Sequence, residues 1–185
     1  MKAHRTALIG VGATGSVLAA ALLSKHPETI IVGRNPGWLD DIGDKGLTVR
    51  GAITCAVPVT NYLSQIRELR DARPDLIFLC TKTFDLAGIL QELEPVCVPG
   101  TKIIATQNGL GVEDLIIDKF GRDAVFRMSL NFGAALKGPG KIEAAFFNPP
   151  NHLGGFTPEN EEFGVRIANM FSECGLETEY VNDFQ

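Results

Sequence analysis

At 185 residues the chain is long enough to bury a full core, and it suits one domain, or one with an appendage, better than two. It is 45% hydrophobic and 21% charged with a net charge of −5, an ordinary globular balance with no lysine or arginine stripe to serve as the footprint of a nucleic-acid binder. No apolar run reaches the roughly 18 residues of a membrane span, and the N-terminus leads into the first strand without a signal-type apolar region, so a cytoplasmic protein is expected.

The opening segment, Ala7-Leu8-Ile9-Gly10-Val11-Gly12-Ala13-Thr14-Gly15-Ser16, is a short apolar strand that runs through a GxGxxG turn into a helix over residues 13 to about 25. Glycine-rich turns also join strands to helices in proteins that bind nothing; the strand-turn-helix context makes this one a dinucleotide fingerprint. Gly10 permits the tight turn, Gly12 lets backbone approach a pyrophosphate, and Gly15 allows close helix-strand packing. The free N–H groups of the helix start then face the phosphates.

His26-Pro27 breaks the helix, and residues 29–32 form a second parallel strand ending at Gly33-Arg34-Asn35. An acidic residue near such a strand end would bind the adenosine ribose of NAD, whereas an arginine accommodates a 2′-phosphate. Arg34 follows Gly15 by 19 residues and no carboxylate ends the strand, so NADP(H) is the expected cofactor.

Residues 36–45 are expected to form a short helix. Residues 46–51 and 53–57 then make a strand pair with a tight turn, an insertion at the periphery of the sheet. Over residues 63–70, Arg67, Glu68 and Arg70 form a solvated face. Residues 75–80 are a continuous apolar run, as in a parallel strand covered on both faces. Thr81-Lys82-Thr83-Phe84-Asp85 follows, which places Lys82 at a strand end, where open α/β sheets gather ligands. Asp85 is placed to cap the next helix, whose Leu86, Ile89, Leu90 and Leu93 recur at helical spacing.

A further strand over 101–106 leads into Gln107-Asn108-Gly109-Leu110-Gly111 and a helix with an apolar stripe of Val112, Leu115, Ile116 and Phe120, closed by Gly121. The Asn108 amide can both donate and accept at a ligand, or simply satisfy its own turn; its position leaves the two uses even. Residues 125–132 alternate, with Phe126, Met128, Leu130 and Phe132 on one face, a half-exposed pattern unlike the buried strands before it. Residues 141–147 alternate as well, and Asn148-Pro149-Pro150-Asn151 turns them into a hairpin with 152–156. Thr157-Pro158-Glu159 opens a last helix with a stripe of Phe163, Ile167, Met170, Phe171 and Cys174, and residues 178–181 make a final strand. The fold class is α/β, a Rossmann-type doubly wound and mostly parallel sheet with an antiparallel extension near the C-terminus. Four scattered cysteines, without a CxxC, and three scattered histidines predict reduced thiols and no metal site.

The ordered set Gly10-Val11-Gly12-Ala13-Thr14-Gly15, Arg34, Cys80-Thr81-Lys82-Thr83, Gln107-Asn108-Gly109-Leu110-Gly111 and Gly138-Pro139-Gly140-Lys141-Ile142 resembles the ketopantoate reductase (2-dehydropantoate 2-reductase) family over essentially the whole chain. The resemblance implies reduction of ketopantoate to pantoate with NADPH, on the route to pantothenate. It implies that Gly10, Val11, Gly12, Ala13, Thr14 and Gly15 hold the pyrophosphate, Arg34 the 2′-phosphate, and Lys82 the cofactor. Asn108 would touch both nicotinamide and substrate, and backbone near Ala134 or Ala135 would touch the cofactor. It further implies a C-terminal helical domain, absent from this chain, that carries the general-acid lysine, substrate-binding asparagines and a glutamate near the cofactor. The general-acid lysine is thus expected beyond Gln185. Residues 1–185 are then the NADP-binding domain, with no catalytic residue of their own and doubtful turnover alone. The half-site left open to water could self-associate, as a homodimer for instance. Two other readings are a non-catalytic NADP(H)-binding or sensing module and a related dehydrogenase for another 2-keto or 3-hydroxy acid.

Overall fold

The computed structural model describes residues 4–109 and 111–182. What the sequence reading says of residues 1–3, of Leu110 and of 183–185 lies outside them. The expected boundary at Gln185, with the general-acid lysine beyond it, is therefore among the readings that fall outside the described residues. The chain runs β1 (Thr6–Ile9), α1 (Ala13–Leu23), β2 (Ile30–Val32), α2 (Pro36–Lys45), β3 (Leu47–Gly51), β4 (Cys55–Val57), β5 (Tyr62–Leu63) and α3 (Leu69–Ala72). It continues through β6 (Leu76–Leu79), α4 (Leu86–Leu93), β7 (Lys102–Ala105), α5 (Val112–Phe120), β8 (Val125–Ser129) and β9 (Phe132–Gly138). Last come β10 (Lys141–Phe147), β11 (Asn151–Gly155), α6 (Glu161–Glu173) and β12 (Thr178–Tyr180).

Eight strands form the main sheet in the order β12-β11-β8-β7-β6-β1-β2-β5. Every neighbouring pair is parallel except β8 with β11. The chain leaves β1 for β2 on one side and returns to β6 on the other, so the direction of winding reverses between β1 and β6. Strand side chains alternate between two cores. Leu76 and Phe78 face a core shared with α1 and α6, while Ile77 and Leu79 face one shared with α4 and α5. Burial on both faces explains the unbroken apolar reading of these strands. Phe78, fully buried, meets Phe171 of α6 edge-on with ring centroids 5.3 Å apart, and burying each such side chain is worth about 1.5–3 kcal/mol.

The strand pair β3-β4 is not at the periphery of this sheet. It joins β10 and β9 in a second, four-stranded sheet of order β4-β3-β10-β9, with β3 parallel to β10. α1 lies between the two sheets, touching β1 on one side and β3, β4, β9 and β10 on the other. This is why every residue of α1 from Gly15 to Leu23 is buried and the helix has no polar face; a helix apolar all round is one covered all round.

Three further expectations are corrected. No hairpin joins 141–147 to 152–156: β10 belongs to the second sheet, and β11 pairs with β8 and β12 in the first. The Asn148–Asn151 turn carries the chain from one sheet to the other. The alternation over 125–132 is divided between β8 and β9, with the break at Leu130-Asn131. There Asn131 N–H donates to Oδ1 of the fully buried Asn151 at 2.9 Å. Leu115, assigned to the buried stripe of α5, is 49% exposed, and Val112 and Ile116 carry the burial. No helix among the described residues is long and apolar enough to cross a membrane.

Candidate functional site

The carboxyl ends of β7, β6, β1 and β2 lie side by side in that order. They lead respectively into Asn108, Lys82, Gly10 and Arg34, all within three residues of a strand's last residue. At about 4.8 Å per strand these four ends cover on the order of 14 Å, and the reversal between β1 and β6 marks the crevice where open α/β sheets take ligands.

The three fingerprint glycines differ in what their surroundings demand. Gly10 has φ +108 and its N–H donates to the Val32 carbonyl at 2.8 Å; a Cβ there would stand 2.9 Å from the Cys80 carbonyl. A Cβ on Gly15 would lie 1.9 Å from the Gly10 carbonyl oxygen, so helix and turn could not close. Gly12 has ordinary extended dihedrals, and a Cβ there would meet no described atom within 4 Å. Packing of the protein therefore demands glycine at 10 and 15 but not at 12, where the open space lies over the first turn of α1. No side chain caps that turn and no acidic residue occupies it, so its N–H groups and the positive end of the helix dipole are available to an anion.

Arg34 follows β2 and has a side chain 84% exposed; its Nη1 lies 3.3 Å from Oδ2 of Asp85. Asp85 does not cap α4, as its position suggested. Its backbone is helical and its side chain makes no cap hydrogen bond; instead the carboxylate reaches across the ends of β6 and β1 to the arginine. Lys82 is exposed in the turn after β6. The next residue, Thr83, donates its hydroxyl to the Asn108 carbonyl at 3.2 Å, tying the β6 and β7 turns together.

Asn108 is exposed, while Gln107 before it is only 6% exposed. Gln107 Nε2 lies 3.5 Å from Thr81 Oγ1, and its Oε1 is buried with no hydrogen-bond partner among the described residues. A buried amide oxygen without a donor at a strand end is an acceptor that a ligand's N–H or O–H could satisfy. On the far side, Arg127 of β8 donates to Glu113 of α5 and to the Gly109 carbonyl. Cys80 sits beneath the crevice, its thiol pushed up to about 12 by burial, with the Thr106 hydroxyl opposing that shift; it is neither nucleophile nor acid near neutral pH. Among the described residues no group of three His, Cys, Asp or Glu side chains comes together.

Gly10 through Gly15, Arg34, Lys82 and Asn108 thus converge on one crevice. Ala134 and Ala135 do not stand on that line. They lie on β9, the edge of the second sheet, with Ala135 exposed and in register with Glu143; only a backbone group of that open edge could serve a ligand. The sequence reading passes over Gln107, Glu113 and Arg127 as site residues. Asp85 reads there as a cap for α4, and Arg127 falls on the face of 125–132 opposite Phe126, Met128, Leu130 and Phe132.

A family model described as ketopantoate reductase PanE/ApbA matches residues 6–156. Among curated relatives, a 2-dehydropantoate 2-reductase of Pyrococcus abyssi is 29% identical over 171 residues, covering 92% of this chain and 54% of the relative. One from Lactococcus lactis is 29% identical over 181 residues, covering 97% and 57%. The chain spans about half the length of the curated relatives it matches. Among solved structures, 2-dehydropantoate 2-reductase from Geobacter metallireducens GS-15 superposes with a TM-score of 0.82 at 23% identity, covering 95% of this chain and 57% of that one. A D-mandelate dehydrogenase solved with NADH gives 0.77, also at 23%, covering 96% and 55%. At that identity the structures establish a shared fold.

Proposed function

The chain belongs to the ketopantoate reductase PanE/ApbA family, and from this we propose that residues 1–185 are the NADP(H)-binding domain of an oxidoreductase that reduces a 2-keto acid of the ketopantoate type. The observation that carries the proposal is the crevice itself: four adjacent strand ends presenting Gly10, Arg34, Lys82 and Asn108, with open space over Gly12. When bound, NADPH supplies the hydride. The chain's own residues hold and orient. The Gly10–Gly15 turn and the α1 N-terminus take the pyrophosphate, and Arg34 takes the 2′-phosphate by a charge-assisted contact. Lys82 places a cation between the pyrophosphate turn and Asn108. Asn108 orients the nicotinamide end and the keto oxygen, and the buried Oε1 of Gln107 accepts from the same end. Most of the rate such a site could deliver would come from positioning and preorganised charge. Protonation of the developing alkoxide would fall to the part of the relatives that this chain does not cover.

Fluorescence titration of this chain with NADPH and NADH tests the binding reading. NADPH should bind more tightly, and Arg34→Ala should lower its affinity about tenfold while leaving NADH almost unchanged. Equal affinity for the two in the unaltered chain would remove the 2′-phosphate role of Arg34. Ketopantoate-dependent NADPH oxidation should be absent with the chain alone and appear when the C-terminal half of a relative is fused to it. Binding without turnover in both cases would favour a non-catalytic module.

A further inference from the structure

Arg127 and Glu113 form the most buried ion pair among the described residues, with side chains 15% and 18% exposed. Burying such a pair is a poor route to stability, because removing both charges from water offsets much of their attraction. Its placement gives it another use. Arg127 sits in mid-sheet, its backbone in register with Ala105 of β7 on one side and Gly154 of β11 on the other. One guanidinium nitrogen donates to Glu113 in the first turn of α5, and the other to the carbonyl of Gly109, the residue after Asn108. The planar fork of arginine can serve two acceptors in fixed directions at once; a lysine ammonium cannot fix both.

The loop being held needs holding. Gly109 and Gly111 have φ +120 and +75, values at which glycine is free but which nothing in its own side chain enforces. On the β6 side the Asn108 carbonyl is fixed by the Thr83 hydroxyl at 3.2 Å. On the β8 side the next carbonyl is fixed by Arg127. Asn108 is exposed between these two braces.

We propose that Arg127, oriented by Glu113, is a positioning residue: it fixes the Asn108 turn so that the asparagine amide is already directed at the nicotinamide end of the cofactor. The inference rests on the cofactor reading above. Arg127 commits its guanidinium to Glu113 and the Gly109 carbonyl and is remote in the sheet order from Arg34, which lies on the far side of β6 and β1, so its effect is confined to one half of the dinucleotide.

The test compares NADPH with 2′,5′-ADP, which carries the 2′-phosphate but no nicotinamide. In Arg127→Gln the affinity for 2′,5′-ADP should stay within about twofold of the unaltered chain, while that for NADPH falls about tenfold, the scale of one lost charge-assisted hydrogen bond. Amide hydrogen exchange at Gly109 and Gly111 should quicken while that of β1 stays unchanged. Arg127→Lys should recover part of the NADPH affinity. Glu113→Gln, which keeps the shape of the pair, should shift the same ratio in the same direction and serves if Arg127→Gln does not fold. Parallel weakening of both ligands would reveal general destabilisation and overturn the inference, as would no change in either. An unaltered chain that binds neither ligand would instead remove the cofactor reading, and the positioning role with it.

Discussion

Arg34 carries its charge on an exposed side chain, and the carboxylate 3.3 Å away gives it a direction across the crevice. Asp85 therefore does two opposing things. It holds the guanidinium in place, and it competes for it with any incoming phosphate, adding its own negative charge beside that group. With one partner 84% exposed the pair itself is worth little, so the repulsion decides. Asp85→Asn should tighten NADPH binding by about threefold at low salt without tightening NADH, and the gain should shrink as ionic strength rises. Paired titrations at low and high salt check this, and weaker NADPH binding would show that orientation outweighs repulsion. Neither Asp85 nor Arg127 was legible in the sequence as a site residue. Each acts through a partner distant in sequence, and an aspartate three residues after a strand-end lysine reads more simply as a helix cap. The strand-end positions of Gly10, Arg34, Lys82 and Asn108 were legible because each lies within three residues of an apolar run that reads as a buried strand.

At the scale of elements, the first turn and α1 separate what packing needs from what a ligand needs. Gly15→Ala sets a Cβ 1.9 Å from backbone oxygen, a clash no flexible side chain can relieve, and it should lower stability by about 3 kcal/mol or more. Gly12→Ala meets no described atom. There a lost N-cap preference opposes a reduced unfolded-state entropy, leaving stability within about 1 kcal/mol of the original. Thermal denaturation should thus flag only the Gly15 variant, while NADPH titration of the Gly12 variant shows lost affinity; unimpaired binding there would mean the space over Gly12 receives no phosphate. The same local-versus-distant divide governs what was legible of the fold. α2 runs over Pro36–Lys45 as expected, because its start is written in adjacent residues: Pro36 in the first turn and Asn35 accepting from the Trp38 N–H at 3.2 Å. The hairpin expected around Asn148–Asn151 fails because turn chemistry says that the chain reverses but not which strand it then joins. That choice lies with Asn151, whose amide reaches the Glu177 carbonyl and Thr178 far along the chain.

For the molecule as a whole, burial has set the chemistry of its cysteines. Cys80 is pushed up to about 12 and Cys97 and Cys174 to about 11, each chiefly by desolvation of the thiolate. An acid whose folded pKa is raised keeps its proton in the native state longer than in the unfolded chain. Its contribution to stability is therefore complete below the ordinary thiol value of 9.0 and is lost as pH climbs through the folded values. Urea midpoints should be flat in these thiols' contribution from pH 7 to 8 and decline above 9, by about 1.4 kcal/mol per pH unit for each thiol that ionises only when unfolded. Cys80→Ala should flatten part of that decline, and an unaltered slope would show that Cys80 is not responsible for it.

The position of α1 between two sheets also has a history in time. One wall of its enclosure is woven from β3 and β4 near the start of the chain and from β9 and β10 near its end. A ribosome adding about 5–20 residues per second needs roughly 5–18 s to travel from Val57 to Phe147. Throughout that interval Leu18, Leu22 and their neighbours lack part of their cover, and the helix is an adhesive apolar rod. The nascent chain is thus most in need of a chaperone before β10 emerges, and the last piece of that wall to be synthesised is what turns the first helix from a hazard into a foundation.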